Sequence, residues 1–257
     1  MSSRERVYRT EAIVLRRADF GEADRLLTVF TPERGKLRLL AKGARKPSSR
    51  KSGHVELFSR GQFLVAVGRE LDIVTQAETV ESFLPLREDL ARTTYAYYLA
   101  ELVDAFTAER DENRPLFNLL VDALGWLCVD SDLALVARYY ELHFLGLVGY
   151  QPQLFVCGGC KEPLRPEVNY LSAADGSVFC GTCSAERAGL LALSVNALKV
   201  LRFLQTREWE TCRLLNLSPA SHAEVEEAMN RYITYHLERK IHSVEFIHRL
   251  RRQMGVG

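Results

Sequence analysis

The chain lacks most of the signatures by which function is usually read. No apolar run approaches the ~20 residues that span a membrane, and the opening MSSRERVYRTE has no apolar core of a secretory leader. Both point to a protein that stays in the cytoplasm. There is no phosphate-binding Walker loop, no H-E-x-x-H, and no glycine-rich dinucleotide fingerprint. The six histidines form no catalytic constellation: His236, His242 and His248 are spaced six apart, off any single helical face. His143 sits in a densely apolar segment and reads as a core histidine. No nucleophile, base and orienting group can be named together, and a non-enzymatic protein is expected. One further absence is local. Between Arg34 and Gly53, RGKLRLLAKGARKPSSRKSG contains no acidic residue.

What is present gives that absence weight. The 257 residues carry a formal charge of only +1, with 47% hydrophobic and 26% charged residues, as in an ordinary globular protein. The charge is uneven. Residues 1–80 hold 16 Lys+Arg against 10 Asp+Glu, and residues 81–257 hold 18 against 23. Such asymmetry suggests that the N-terminal part meets a polyanion.

Residues 1–80 read as short strands: Ala12–Leu15, Arg25–Phe30, Lys36–Lys42, Phe63–Val67 and Leu71–Thr75, separated by turn chemistry. Five short strands in this length suggest an oligonucleotide-binding (OB) barrel. In Lys36–Lys42, alternation puts Leu37, Leu39 and Ala41 on one face and Lys36, Arg38 and Lys42, with Leu40, on the other. The loop that follows adds Arg45, Lys46, Arg50 and Lys51. These seven cations are the candidate phosphate-binding surface, because a merely solvated face normally mixes both signs of charge. Gly35, Gly43 and Gly53 bound the strand and the loop and would leave the loop free to settle on a ligand. Phe20, Phe30, Phe58 and Phe63 are candidates for stacking on bases, although most barrel aromatics are expected in the core.

From Pro85 the period becomes helical. Tyr95, Tyr98, Leu99, Leu102, Val103 and Phe106 trace one stripe, a second helix is expected over Leu116–Val129, and a third, Leu133–Val148, is apolar enough to lie centrally. A fourth covers Val195–Gln205. The last starts at Ser218-Pro219, with Ser221-x-x-Glu224 as a competing capping box, and its stripe runs from Val225 through Lys240 to Ile241.

Between the third and fourth helices lie CGGC, Cys157–Cys160, and CGTC, Cys180–Cys183, a C-x2-C-x19-C-x2-C pattern in the zinc-ribbon range. Two knuckles supply four thiolates to one Zn²⁺, and four protein ligands leave no open position, so the ion is expected to be structural. The glycines are expected to provide the positive φ of a tight turn. Cys128 and Cys212 read as buried small hydrophobes.

The stretches EAIVLRRADFGEADRLLTVFTPERGKLRLLAKGARKPSS (Glu11–Ser49), ELFSRGQFLVAVG (Glu56–Gly68) and ELHFLGLVGYQPQLFVCGGC (Glu141–Cys160) resemble the RecO family of bacterial recombination mediators. The order of parts is similar too. An α+β organisation is expected: a basic OB domain (1–80), a helical domain (81–150 and 189–257), and a four-cysteine zinc module (151–188) inserted in it. The resemblance implies a protein of recombinational repair, at the nucleoid during repair, that binds single- and double-stranded DNA and anneals complementary strands. It also implies recognition of the acidic C-terminal tail of single-stranded-DNA-binding protein and, with RecR, loading of RecA. The competing reading is a zinc-containing RNA-binding or interaction module built on an OB fold.

Overall fold

In the computed structural model, which describes residues 6–237 and 241–254, the first strand is also the longest of the barrel. Strand β1 (Val7–Phe20) serves two neighbours. Its first half, Val7–Ile13, pairs antiparallel with β4 (Arg60–Ala66), and its second half, Ile13–Phe20, with β2 (Asp24–Thr31). A bulge between Val14 and Arg16 lies where the strand passes from one partner to the other, and bulges bend and twist a strand at such corners. β2 continues into β3 (Gly35–Ala41), and β3 meets β5 (Asp72–Glu81) in a short parallel pairing, Leu39 opposite Asp72 and Leu40 opposite Ile73. The result is a closed barrel in the order β1-β2-β3-β5-β4, the five-stranded architecture expected of an OB fold.

Ala12, Val14, Leu27, Val29, Leu37, Leu39, Ala41, Phe63, Val65 and Val74 fill the interior. β1 and β5 extend well past Ala12–Leu15 and Leu71–Thr75, the apolar cores of these strands. The flanks carry Arg9, Glu11, Arg16, Gln76 and Glu78, which hydropathy does not mark as strand. Pairing with neighbours, not local propensity, holds them extended.

Three helices follow: α1 (Pro85–Glu88), α2 (Leu90–Phe106) and α3 (Arg114–Val129). Asp89 caps α2 by accepting from the Arg92 amide at 2.9 Å. The sequence expectation placed these segments in a helical domain beginning at residue 81. The chain instead divides into compact units at Val129/Asp130. The reason is the outer wall of the barrel: Phe30 packs on Phe117 of α3, ring centroids 6.4 Å apart, and Phe58 meets Tyr97 of α2 edge to face at 5.0 Å. The apolar faces of α2 and α3 are buried on the barrel.

The second unit opens with α4 (Leu133–Leu147), capped by Asp132, which accepts from the Leu135 amide at 2.9 Å. Every residue from Leu135 to Leu142 is buried, as the expected central helix requires, including the paired Arg138 and Glu141. His143 is half-buried rather than a core residue: its Nε2 lies 2.9 Å from the Leu204 carbonyl, its ring packs on Tyr139, and burial pulls its pKa below the usual value. A three-stranded sheet, β6 (Asn169–Ser172), β7 (Ser177–Phe179) and β8 (Leu191–Leu193) in the order β7-β6-β8, carries the one-turn helix α5 (Gly181–Ser184). Then come α6 (Val195–Thr206), α7 (Trp209–Cys212), α8 (Pro219–Leu237) and α9 (His242–Met254). Cys212 is fully buried, whereas Cys128 of α3 is only half-buried.

At the start of α8, Ser218 is the cap, its Oγ accepting from the Ser221 amide at 3.2 Å. Glu224 reaches instead to Ser194, the N-cap of α6, and accepts from its amide at 2.6 Å and its hydroxyl at 2.7 Å. Among the described residues the expected single final helix is two elements, α8 and α9, with Ile241 in neither. Lys240 of the expected stripe lies outside the described residues.

Gly35 shows how tightly the barrel and the α2–α3 loop meet. Its φ is +59°, and a Cβ there would lie 1.9 Å from the Asp111 carbonyl oxygen. The Arg110 amide donates to the Lys36 carbonyl at 2.9 Å beside it. Gly35→Ala is expected to destabilise the protein by about 2 kcal/mol or more, since both the dihedral and the space are refused. The midpoint of urea unfolding measures it.

Candidate nucleic-acid interface and metal centre

The seven candidate cations of residues 36–51 do not share one environment. β3 presents Leu37, Leu39 and Ala41 to the barrel interior and Arg38 to solvent, and Lys42 continues beyond its end, also exposed. Lys36 departs from the expected solvent row. It is 9% exposed, its Nζ donating to the Asp104 carbonyl at 2.6 Å and lying 3.1 Å from the Asp104 carboxylate. The outer face of β3 is covered at its start, where α2 brings Asp104 onto Lys36, and Leu40, between the exposed Arg38 and Lys42, is also buried.

The loop is laced rather than loose. The Gly43 amide donates to Asp24 Oδ1 at 2.7 Å, the Arg45 amide to the Ala23 carbonyl at 2.9 Å, and Ala44 and Val55 are in the barrel core. Its side chains then sort themselves. Lys46 and Arg50 are exposed, and among the described residues no ion pair holds Arg38, Lys42, Lys46 or Arg50. Arg45 is exposed and anchored, 3.5 Å from the Asp19 carboxylate and 3.5 Å from the Gly21 carbonyl. Lys51 turns inward and donates to the Val74 carbonyl at 3.0 Å. Burial lowers its pKa, with the charge of Asp24 opposing.

Elsewhere on the barrel, acids absorb positive charge in ways that spacing did not reveal. Glu56 pairs with both Arg17 and Arg25, and Glu11 with Arg60. Four exposed cations without an ion pair therefore gather at the β3 exit and its loop, while Arg9, Arg34 and Arg69 are exposed at other points of the unit. Of the four aromatic candidates for stacking, Phe30, Phe58 and Phe63 are buried to 1% or less and belong to the core.

In the second unit the four cysteines converge. One sulfur from each of Cys157, Cys160, Cys180 and Cys183 lies within 4.8 Å of all the others. A tetrahedral ion about 2.3 Å from each sulfur suits a cluster of this size. The first knuckle precedes β6 and the second joins the end of β7 to α5, so the β6–β7 hairpin brings the two together. The Gly159 and Cys180 amides both point at Cys157 Sγ, at 3.4 Å. Burial pushes the Cys157 thiol up, but the backbone amides of Cys180, Cys160 and Gly159 outweigh it and bring the thiol down to about 6. The Cys183 thiol, hydrogen-bonded to those of Cys180 and Cys157, is pushed up to about 12. Four crowded sulfurs, one stabilised as thiolate, fit a soft divalent cation. The glycines of the first knuckle act through space, not through φ. A Cβ on Gly159 would stand 2.9 Å from Cys183 Sγ, and one on Gly158 2.7 Å from the Phe179 ring. The left-handed residue is Lys161, at φ +65°.

With both sites placed, the chain can be compared with known proteins. Residues 1–83 match the family model for the recombination protein O N terminus, and residues 87–245 the model for its C terminus. The chain belongs to the RecO family. A DNA repair protein RecO of Roseiflexus sp. (strain RS-1) is 43% identical over 251 residues, covering 98% of this chain and 88% of that protein. Those of Pelotomaculum thermopropionicum and Desulforamulus reducens are 40% and 37% identical, covering 95% and 98% of this chain and 94% and 98% of theirs. RecO proteins act in DNA repair and recombination as mediators and not as enzymes. Among the described residues no helix is long and apolar enough to cross a membrane.

Two outcomes are expected. Lys36→Met should lower stability by about 1–3 kcal/mol, because Asp104 keeps its charge but loses its nearer and more buried partner, with only the exposed Arg16 left 3.7 Å away, as unfolding in urea measures. Cys157→Ser and Cys180→Ser should each lose bound metal, and chelation should lower the melting temperature of the parent. Metal analysis on protein purified under reducing conditions, with melting curves, checks both.

Proposed function

We propose that this protein holds single- and double-stranded DNA by its phosphates on the β3 exit and the following loop, and so anneals complementary strands. The observation that carries this reading is the set of exposed cations Arg38, Lys42, Lys46 and Arg50, without acids among them, on one region of a closed OB barrel. Arg45 supplements them from an anchored position, whereas Lys36 and Lys51 support the surface from within. A surface that grips phosphates leaves the Watson–Crick edges of a strand exposed, so a second strand can pair while the first is held. Binding of this kind is insensitive to sequence.

The remaining roles follow from family membership and are part of the same proposal. The protein acts in the cytoplasm, at the nucleoid, on DNA coated by single-stranded-DNA-binding protein. It recognises that protein's acidic tail and, with RecR, helps load RecA. One Zn²⁺ held by Cys157, Cys160, Cys180 and Cys183 would staple residues 151–188 as a structural module beside the helices. With four thiolates it would have no open position for hydrolysis. Residues 1–80 remain the DNA-binding module, carried with α2 and α3 as one compact unit.

Arg38→Glu combined with Lys42→Glu should weaken single-stranded and duplex binding together and slow annealing, with the fold intact because Leu37, Leu39 and Ala41 are untouched. For four phosphates contacted on a single strand, log K against log salt should fall with a slope of about −3 in the parent. A flat salt dependence, or a folded double variant that binds and anneals like the parent, rejects this surface. Binding without annealing would favour an RNA-binding or interaction module.

A further inference from the structure

We infer that Phe20, at the tip of the β1–β2 hairpin, is a stacking platform for an unpaired base of the strand whose phosphates the neighbouring cations hold. The inference deepens the reading of the β3 exit as the DNA surface and rests on it.

Three observations converge on this residue. First, Phe20 is 46% exposed, whereas the other aromatics of the barrel, Tyr8, Phe30, Phe58 and Phe63, are at most 8% exposed. Phe30 and Phe58 are committed to Phe117 and Tyr97, and Tyr8 lies under the Arg34 guanidinium and donates to Asp72. Only Phe20 leaves its ring available among these residues.

Second, the pairing register puts it on the face of the cations. Directly paired residues share a face of a sheet, and so do residues two apart on one strand. Arg16 pairs with Thr28 and Thr28 with Arg38, Ala18 pairs with Leu26 and Leu26 with Leu40, and Phe20 pairs with Asp24. Arg38, Leu40 and then Lys42 alternate along β3 and its exit. Phe20 is therefore on the same outer face as Arg38 and Lys42, in the row that Lys42 continues.

Third, the hairpin tip is fixed to the basic loop. Asp24 accepts from the Gly43 amide at 2.7 Å, the Ala23 carbonyl from the Arg45 amide at 2.9 Å, and Arg45 reaches both Asp19 and the Gly21 carbonyl at 3.5 Å. These contacts flank Phe20 on both sides in sequence. They hold its backbone at a set place relative to the cations, which is what a stacking position requires. An aromatic ring beside a phosphate-gripping groove suits any base, since each has a π face. A paired base inside a duplex has no face to offer. Phe20 would thus give the surface a preference for single strands that phosphate contacts do not provide.

The test compares parent, Phe20→Ala and Phe20→Leu, with Arg38→Glu/Lys42→Glu as the reference for phosphate contacts. The probes are a thymidine oligonucleotide, a strand of equal length carrying abasic sites, and a hairpin duplex. For Phe20→Ala we expect about ten-fold weaker binding of the thymidine strand, little change on the abasic strand and the duplex, and an unaltered salt slope, since no charge is removed. Phe20→Leu keeps the apolar bulk but loses the π face, and should behave like Phe20→Ala. Parent-like binding by Phe20→Ala overturns the inference, as do equal losses on all three probes or full rescue by Leu. Failure of the parent itself to bind the thymidine strand overturns this inference and the phosphate surface together. Loss in the Arg38/Lys42 variant without loss at Phe20 overturns only the platform.

Discussion

A five-stranded sheet closes on itself only if every strand pairs on both sides, and β1, pairing with β2 and β4, meets that demand with its length and its bulge. Val7–Ile13 belongs to β4 and Ile13–Phe20 to β2, so the barrel has no unpaired edge once β3 meets β5. Closure fixes which side of every strand faces the core. With Leu37, Leu39 and Ala41 committed inward, Arg38 has only the outer face available, and a one-residue slip would exchange the two sets. The same closure carries the β1–β2 hairpin to the basic loop, because β2 is the strand between β1 and β3.

The outer face is not uniform, and its division decides the use of the positive charge. Where α2 and α3 lie on the barrel, cations are spent on structure: Lys36 with Asp104, Arg114 with Glu33. Near the β4 side and the loop base, Glu56 and Glu11 gather Arg17, Arg25 and Arg60. Beyond the helices, at Arg38, Lys42, Lys46 and Arg50, four cations close in sequence face solvent with no ion pair among the described residues. A segment with an excess of six positive charges thus presents a compact patch. Exposed ion pairs contribute little to stability, but they determine where a polyanion is attracted.

The second unit meets a different constraint. Short strands of three or four residues, β6 to β8, bury too little apolar surface to hold an insertion together. Four sulfurs placed by two knuckles are gathered where the proposed metal would supply the missing constraint, as metals do in small modules. The close fit of Gly158 and Gly159 against Phe179 and Cys183 shows that the knuckle is held by packing as well as by the convergence of its sulfurs. Helices α4, α6 and α8 are organised by buried stripes and by shared caps, Glu224 of α8 serving the N-cap of α6.

Much of this was determined by the sequence alone. Alternation in Lys36–Lys42 set the inward row, the 3.6-residue stripes set the helices, and the doubled C-x2-C set which four cysteines converge, because each depends on a local period or spacing that any fold must respect. Tertiary structure decided what local pattern does not encode. Lys36 and Arg38 have the same parity and opposite fates, since a helix almost seventy residues away covers one and not the other. Lys51 reads like Lys46 but reaches a carbonyl of β5. Phe20 and Phe30 read alike, yet one ends a hairpin and the other lies under α3. The glycines between the cysteines signalled a turn, but the reason for them is the ring and the sulfur against them. Which charges and rings remain exposed is a property of what else packs nearby, and contacts across long sequence separations settle it.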